Sequence, residues 1–302
     1  MKKYVFRGLS FVLLLFSLSL AAQEAPRFTQ YLQQPLLLNA AYAGTLNDLA
    51  LTTAYRSQWV SIPDAPRTFL LSGEYRITDT MGVGLTLYND AFGPSSRNEI
   101  RGHYAYNLRL GETVQLRLGL NAQLLFYDLN TSEINAADAE QNLFGSDLTD
   151  SAGNLGLGTL VHGEQWFFGF SIPTLFETEA LEGDTVIVLQ NRSYNLMAGY
   201  AFPLGDHWTV KPSVLFQKEE RSATQYNITT SVAYKNKVLL GLNYGLANAV
   251  SGIVGFQLTD GIRMAYSYDA AISDISSVSG ATHEVSLRFN LTKNPISFVG
   301  RD

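Results

Sequence analysis

The chain has 302 residues, 46% hydrophobic and 16% charged, with a net charge of −6 and no cysteine. It carries no basic block or basic amphipathic helix, so the electrostatic footprint of a nucleic-acid binder is missing. Without cysteine it also lacks disulfides, thiolate chemistry, Cys-ligated metal and a lipidated N-terminal Cys.

Residues 1–22 join a basic start (Lys2, Lys3, Arg7) to an apolar run from Phe11 to Leu20 and the small pair Ala21–Ala22. This is the pattern of a secretory signal peptide. Residues 23–48 precede the first alternating segment and are expected either on the periplasmic side or folded into a lumen as a plug. Period-two alternation then predicts strands at Leu49–Arg56, Phe69–Arg76, Met81–Asn89, Glu99–Leu108, Val114–Tyr127, Ala152–Val161 and Gln165–Ile172. It continues through Ser193–Phe202, Trp208–Gln217, Gln225–Tyr234, Val238–Leu246, Ser251–Leu258, Ile262–Asp269 and Thr282–Leu291. A tail, residues 292–302, follows.

The connections between these segments alternate in length. Short turns at Ile77–Thr80, Arg109–Thr113, His162–Glu164, Pro203–His207, Lys235–Lys237 and Thr259–Gly261 form one set. The other holds every long connection: Ser57–Thr68, Asp90–Asn98, Asp128–Ser151, Pro173–Arg192, Lys218–Thr224 and Ala270–Ala281, with Ala247–Val250 its short member. Short turns on one rim and long loops on the other are the layout of an all-β, transmembrane outer-membrane β-barrel of about 14 antiparallel strands, here spanning residues 49–291.

The two faces of the strands fit that layout. Val83, Leu85, Leu87, Ile100, Leu116, Leu118, Phe168, Phe170, Leu196, Val214, Leu240 and Leu287 fall on the lipid side, with aromatics such as Tyr55, Tyr75, Trp208 and Tyr268 near strand ends. The opposite face carries Glu74, His103 and Glu284 and the lumen-lining candidates Arg56, Arg101, Arg117, Lys211, Arg263 and Arg288. Charges there would be costly in lipid, so a polar lumen is expected.

Chemistry-bearing motifs are sparse. The four histidines, His103, His162, His207 and His283, show neither i, i+4 pairing nor an HExxH pattern, so no metal and no cofactor are expected. The glycines of Met81–Leu85 and Leu155–Gly158 lack the strand-then-helix context of phosphate loops and read as small residues facing a crowded lumen. The acidic connections Asp128–Ser151 and Pro173–Arg192 lack EF-hand spacing and read as solvated acidic loops rather than Ca²⁺ sites. No catalytic constellation is evident and no enzymatic activity is expected.

Two connections on the long-loop rim are stiff. Pro63 and Pro66 fix a bend beside Trp59 and Asp64, and NDAFGP holds Asn89, Asp90, Gly93 and Pro94. Rigid loops side by side make a docking surface, because ordering them on binding costs little. Those residues also carry a family resemblance. QYLQQPLLLNAAYAG (Gln30–Gly44), YRSQW (Tyr55–Trp59), the PDAP of Pro63–Pro66 and NDAFGP, in this order, resemble the PorP/SprF membrane proteins of the Bacteroidetes type IX secretion and gliding-motility system. Ala40 departs from the proline usual there. The resemblance implies a non-enzymatic barrel embedded in outer-membrane lipid that supports export or surface attachment of particular cargo proteins, by recognising their C-terminal domains or by joining other secretion or gliding components. The family's motif positions fall here on Asn39, Tyr42, Gly44, Arg56, Trp59, Pro63, Pro66, Asn89, Asp90, Gly93 and Pro94. The rival reading is a channel or transporter for small anionic or hydrophobic compounds.

Overall fold

A computed structural model describes residues 28–45, 49–130, 147–182, 185–245, 249–272 and 280–291. The leader, residues 23–27, the middle of the acidic connection after Asn130 and the C-terminal tail lie outside the described residues. The strands are β1 (Leu49–Ser57), β2 (Arg67–Arg76), β3 (Met81–Phe92), β4 (Ser95–Arg109), β5 (Gln115–Leu129), β6 (Leu148–His162), β7 (Trp166–Thr174), β8 (Thr178–Glu182) and β9 (Thr185–Gln190). They continue as β10 (Ser193–Tyr200), β11 (Phe202–Leu204), β12 (Trp208–Glu219), β13 (Gln225–Tyr234), β14 (Val238–Gly245), β15 (Ala249–Thr259), β16 (Ile262–Ala271) and β17 (Thr282–Asn290).

All of these except β8 and β9 form one antiparallel sheet. β10 bridges β7 and β12, and β11 extends β10 along the same partner, so the two count as one stave. β17 returns to β1, from Ala50 opposite Asn290 to Ser57 opposite His283. The sheet therefore closes as a 14-stranded barrel. Closure leaves no strand edge to be satisfied by the surroundings. β5 shows why the sequence folds this way: Arg117, Gly119, Asn121, Gln123 and Leu125 are buried inward while Leu118, Leu120, Ala122, Leu124 and Phe126 are exposed outward. The outward faces form an aliphatic band with exposed aromatics such as Tyr55, Tyr75, Phe126, Trp208 and Tyr268. Among the described residues no helix is long and apolar enough to cross a membrane; crossing falls to the strands.

Two predicted loops are structured. The connection expected over Asp90–Asn98 shrinks to Gly93–Pro94, because β3 and β4 run on and pair up to Phe92 opposite Ser95. Its Asn and Asp residues, read as turn formers, hold the extended pair instead: the Asn89 side-chain amide donates to Asn98 Oδ1 at 2.8 Å and Thr68 Oγ1 donates to Asp90 Oδ1 at 2.6 Å. Gly93, at φ +53°, supplies the left-handed position of the remaining tight turn. The connection expected over Pro173–Arg192 contains the β8–β9 hairpin. Ala180, Ile187 and Leu189 pack against the inner-face residues Leu125, Tyr127, Leu148 and Ala152, so the hairpin folds against the inner wall at the long-loop mouth.

The barrel interior is not simply polar. Residues 28–45 run through it as short turns, a 3₁₀ turn at Tyr31–Gln33, one α-turn at Pro35–Leu38 and a second 3₁₀ turn at Ala40–Tyr42. Tyr31, Leu32, Ala41 and Tyr42 pack with the inward side chains Leu160, Phe167, Met197 and Leu215, while Phe28 packs with Ala54, Leu70 and Tyr88. The lumen thus holds an apolar core of its own, which a reading of strand faces alone does not show.

Candidate functional site

The inner segment seats on a track of small residues near the short-turn rim. Gly82, Gly119 and Gly158 face inward, and a Cβ at Gly119 would stand 2.5 Å from the Ala40 carbonyl carbon and 2.7 Å from Ala41 Cα. One at Gly82 would stand 2.7 Å from the Ala43 carbonyl carbon. Here the glycines permit backbone-on-backbone approach. Gly44, at φ +70°, turns the segment toward β1, and its amide donates to Glu74 Oε2 at 3.0 Å. Asn39, 1% exposed, donates to the Thr159 carbonyl at 2.9 Å and accepts the Ala41 amide at 2.9 Å. Tyr42 is fully buried in the apolar cluster.

The lumen arginines hold this segment. Arg117 Nε donates to the Ala41 carbonyl at 2.8 Å and its Nη2 to the Ala43 carbonyl. Arg101 donates to the Leu37 carbonyl at 2.9 Å and pairs with Glu99 at 2.5 Å; Arg288 donates to the Gln33 carbonyl at 2.6 Å. The guanidinium fork suits such multi-acceptor work. Arg56 sits in a buried cluster, 2.7 Å from Asp269 Oδ2 and 3.0 Å from Glu284 Oε2, and donates to Thr29 Oγ1 at 3.1 Å. Glu284, 0% exposed, also accepts the Thr29 and Gln30 amides at 2.8 and 3.2 Å. Lys211 and Arg263 stand half-buried on the same inward face, near the short-turn ends of β12 and β16. Arg56, Arg101, Arg117 and Arg288 therefore bind the chain itself. His103, also buried, shares a 3.0 Å hydrogen bond with Thr86.

At the opposite rim, the loop from Gln58 to Pro66 is stitched on both sides. The Trp59 amide donates to Thr282 Oγ1 at 3.2 Å and the Val60 amide to the Ala281 carbonyl at 3.1 Å, tying the loop to the last long connection. The Gly93 amide donates to the Asp64 carbonyl at 2.9 Å, tying it to the β3–β4 turn. Trp59 at φ +44° and Asp64 at φ +55° occupy the left-handed region, uncommon for non-glycine residues and strained for one as bulky as Trp. Pro63 and Asp64 are exposed, Pro66 is half-buried and Pro94 half-buried beside an exposed Gly93. The structure thus brings Trp59, Pro63, Asp64, Pro66, Gly93 and Pro94 to one rim, with Asn89 and Asp90 just below on β3. Asn39, Tyr42 and Gly44 are at the other end, inside.

Sequence reasoning missed the β8–β9 hairpin and its neighbours. Leu181 and Val186, paired across its strands, are exposed at 73% and 51%, and Arg221 Nη2 contacts Glu177 and Glu179 at 2.5 and 3.4 Å across the mouth. The run Thr185–Gln190, TVIVLQ, carries the β-branched signal that marks a strand. Asp269 and Thr29, partners of Arg56, give no such signal. Between hairpin and inner segment a cavity of about 120 Å³ is lined by Leu37, Leu38, Tyr88, Arg97 and several amide side chains. Among the described residues no group of His, Asp and Glu is placed to hold a metal.

A family model described as "Type IX secretion system membrane protein PorP/SprF" matches residues 20–289. A search of curated proteins finds no match. Among solved structures, the chain is similar to the outer membrane protein Omp33 of Acinetobacter baumannii, with 8% identity, TM-score 0.50, and 82% of this chain and 100% of that one covered. It is similar also to the CymD monoaromatic hydrocarbon channel, at 13% identity and TM-score 0.52 over 86% of this chain and 93% of that one. The Ralstonia pickettii toluene transporter TbuX aligns at 9% identity and TM-score 0.50 over 84% and 93%. At these identities the likenesses speak for the fold.

Proposed function

Because this chain belongs to the PorP/SprF family of type IX secretion system membrane proteins and is an outer-membrane barrel, we propose that it is a plugged, non-conducting receptor. In this reading the long-loop rim faces outward and recognises the C-terminal domains of particular secreted proteins, supporting their export or surface attachment, and other secretion components join it there. In the same reading residues 1–22 are a signal peptide, the segment within 23–48 that the structure describes, residues 28–45, plugs the lumen, residues 49–291 form the wall and residues 292–302 are a C-terminal tail. The protein is a secretion component and not an enzyme.

The observation that carries the reading is the occupied lumen. Arg101, Arg117 and Arg288, which could pass anions if free, spend donors on carbonyls of residues 33–43, and Arg56 is matched by two carboxylates. In this reading a lumen crossed by main chain that engages its arginines passes no small solute, and function moves to the surface. The stitched loop of Trp59–Pro66 supplies a preorganised patch there. Planar-bilayer recording together with co-purification tests it: a silent barrel that retains a cargo C-terminal domain supports the receptor, and steady anion-selective current without such retention supports the channel.

A further inference from the structure

The staves close into a ring, but β6 outruns one neighbour at the long-loop rim. β5 pairs with it up to Leu129 opposite Leu148, whereas β7 pairs with it only from His162 opposite Phe167 to Leu157 opposite Ile172. The departure of β7 is built into the sequence. A Cβ at Gly156, which faces inward, would stand 2.7 Å from the Pro173 carbonyl carbon, so the glycine lets the chain pass beneath β6 into the lumen. Asn121 donates to the Pro173 carbonyl at 3.1 Å. Asn154 then gathers the chain inside: its Oδ1 accepts the Leu175 and Phe176 amides at 3.1 and 3.0 Å, and its amide donates to the Phe176 carbonyl at 2.7 Å.

Above this point the β7-facing edge of β6 stands open. In an antiparallel ladder successive residues turn their N–H and C=O groups to opposite neighbours. The Leu155 carbonyl, which accepts the Leu175 amide at 2.9 Å, sets the phase, so Thr149, Ser151 and Gly153 present theirs on the open side. The Ser151 amide is met by its neighbour Asp150, at 2.7 Å from Oδ1. Among the described residues Thr149 and Gly153 have no backbone partner on that side.

The open edge climbs out of the apolar band. Outward side chains on β6 pass from Leu157 and Leu155 to Gly153, Ser151 and Thr149, and the exposed Phe126 of β5 stands opposite Ser151. Water meets main-chain groups at that level, so the edge is stable by itself. It nonetheless carries none of the lysines, prolines or bulges that keep exposed edges from pairing. We propose that this edge is a β-augmentation site, to which an extended, basic segment of a secreted partner adds as a further strand. Main-chain bonds to Thr149, Ser151 and Gly153 supply the attachment. Charge selects the occupant: the Asp150 carboxylate lies along the edge, Asp147 precedes it, Asp128 stands opposite Thr149 on β5, and β6 holds no Lys or Arg. A second copy of this chain would set the same carboxylates against each other, and lipid lacks the repeating groups of a strand. The inference rests on the receptor reading for the partner's origin and adds how that partner is held.

Amide hydrogen exchange of the full-length barrel in nanodiscs tests it, with a short synthetic peptide of alternating lysine and valine as the probe. The Thr149 and Gly153 amides are expected to exchange freely in the barrel alone and about tenfold more slowly with saturating peptide. Ser151→Pro, which removes an amide from the open side and leaves the β5 ladder intact, is expected to lose that protection. Heat-modifiable gel mobility establishes that the variant is a folded barrel. Four results overturn the proposal: protection already present without peptide, no added protection with it, equal protection in Ser151→Pro, or equal protection by a glutamate–valine peptide. No cargo enters this measurement, so its failure is distinct from loss of cargo retention, on which the receptor reading stands.

Discussion

Replacing Gly119 by Val is expected to unseat the inner segment while leaving the wall intact. The new Cβ falls 2.5 Å from the Ala40 carbonyl carbon and 2.7 Å from Ala41 Cα, both main-chain atoms that no rotamer change can move. Overpacking of this kind costs ~1–3 kcal/mol. Displacing Ala41 to Ala43 also removes both Arg117 bonds, each charge-assisted and worth ~1.5–3 kcal/mol. The sum, about 4–9 kcal/mol, corresponds to a thousandfold or greater shift toward the displaced state, at 1.4 kcal/mol per factor of ten. The strand ladders of β4, β5 and β6 are untouched, because Val is at home in a strand. Liposome swelling in a small neutral sugar is the assay: wild-type proteoliposomes stay closed and Gly119→Val ones swell. Gly102→Val, whose Cβ points outward with its nearest neighbour 4.0 Å away, stays closed. A folded Gly119→Val barrel that remains as tight as wild type would refute the idea that this track holds the plug.

Other consequences can be measured alongside. Arg56→Leu leaves Glu284, 0% exposed, and Asp269 without their cation; the expected loss is about 3–5 kcal/mol, read as a lowered denaturant midpoint in detergent. By contrast, changing Glu177 and Glu179 to Gln should shift that midpoint by less than ~1 kcal/mol, since Arg221 is more than half exposed. Trp59→Ala is expected to weaken binding of a cargo C-terminal domain by about 2 kcal/mol, roughly thirtyfold, as loss of an interfacial Trp does; titration against the barrel in nanodiscs measures it, and unchanged affinity places the docking surface elsewhere. Asn39→Ala removes the bond to Thr159 and the turn-capping acceptor for Ala41, so partial swelling, below that of Gly119→Val, is expected.

The wall was legible because lipid outside and protein inside impose opposite demands on successive residues. In β17, and in β5 up to Leu124, that demand places the side chains on their observed faces; Leu125 and Tyr127, apolar yet turned inward, follow only from the continued period. Strand ends were less legible where Asn, Asp and Ser serve as cross-strand partners, as Asn89 and Asn98 do. The inner segment has no period to read: its conformation is dictated by glycines and arginines distant in sequence, such as Gly119 beneath Ala41 and Arg288 on Gln33. For the same reason the basic face was visible, but its partners were not. Arg56 and Trp59 are neighbours in one motif, yet the side chain of one reaches inward to Glu284 while the other, at the rim, ties its amide to Thr282.

A deletion strain bears most directly on whether this barrel serves secretion from its outer mouth. Surface proteins of wild type, the deletion, and the deletion carrying the Trp59→Ala chain would be compared, together with uptake of small anionic and hydrophobic compounds. The receptor account predicts that a small set of proteins disappears from the surface of the deletion strain, returns incompletely with Trp59→Ala, and that uptake is unchanged. An unaltered surface with impaired uptake would contradict it.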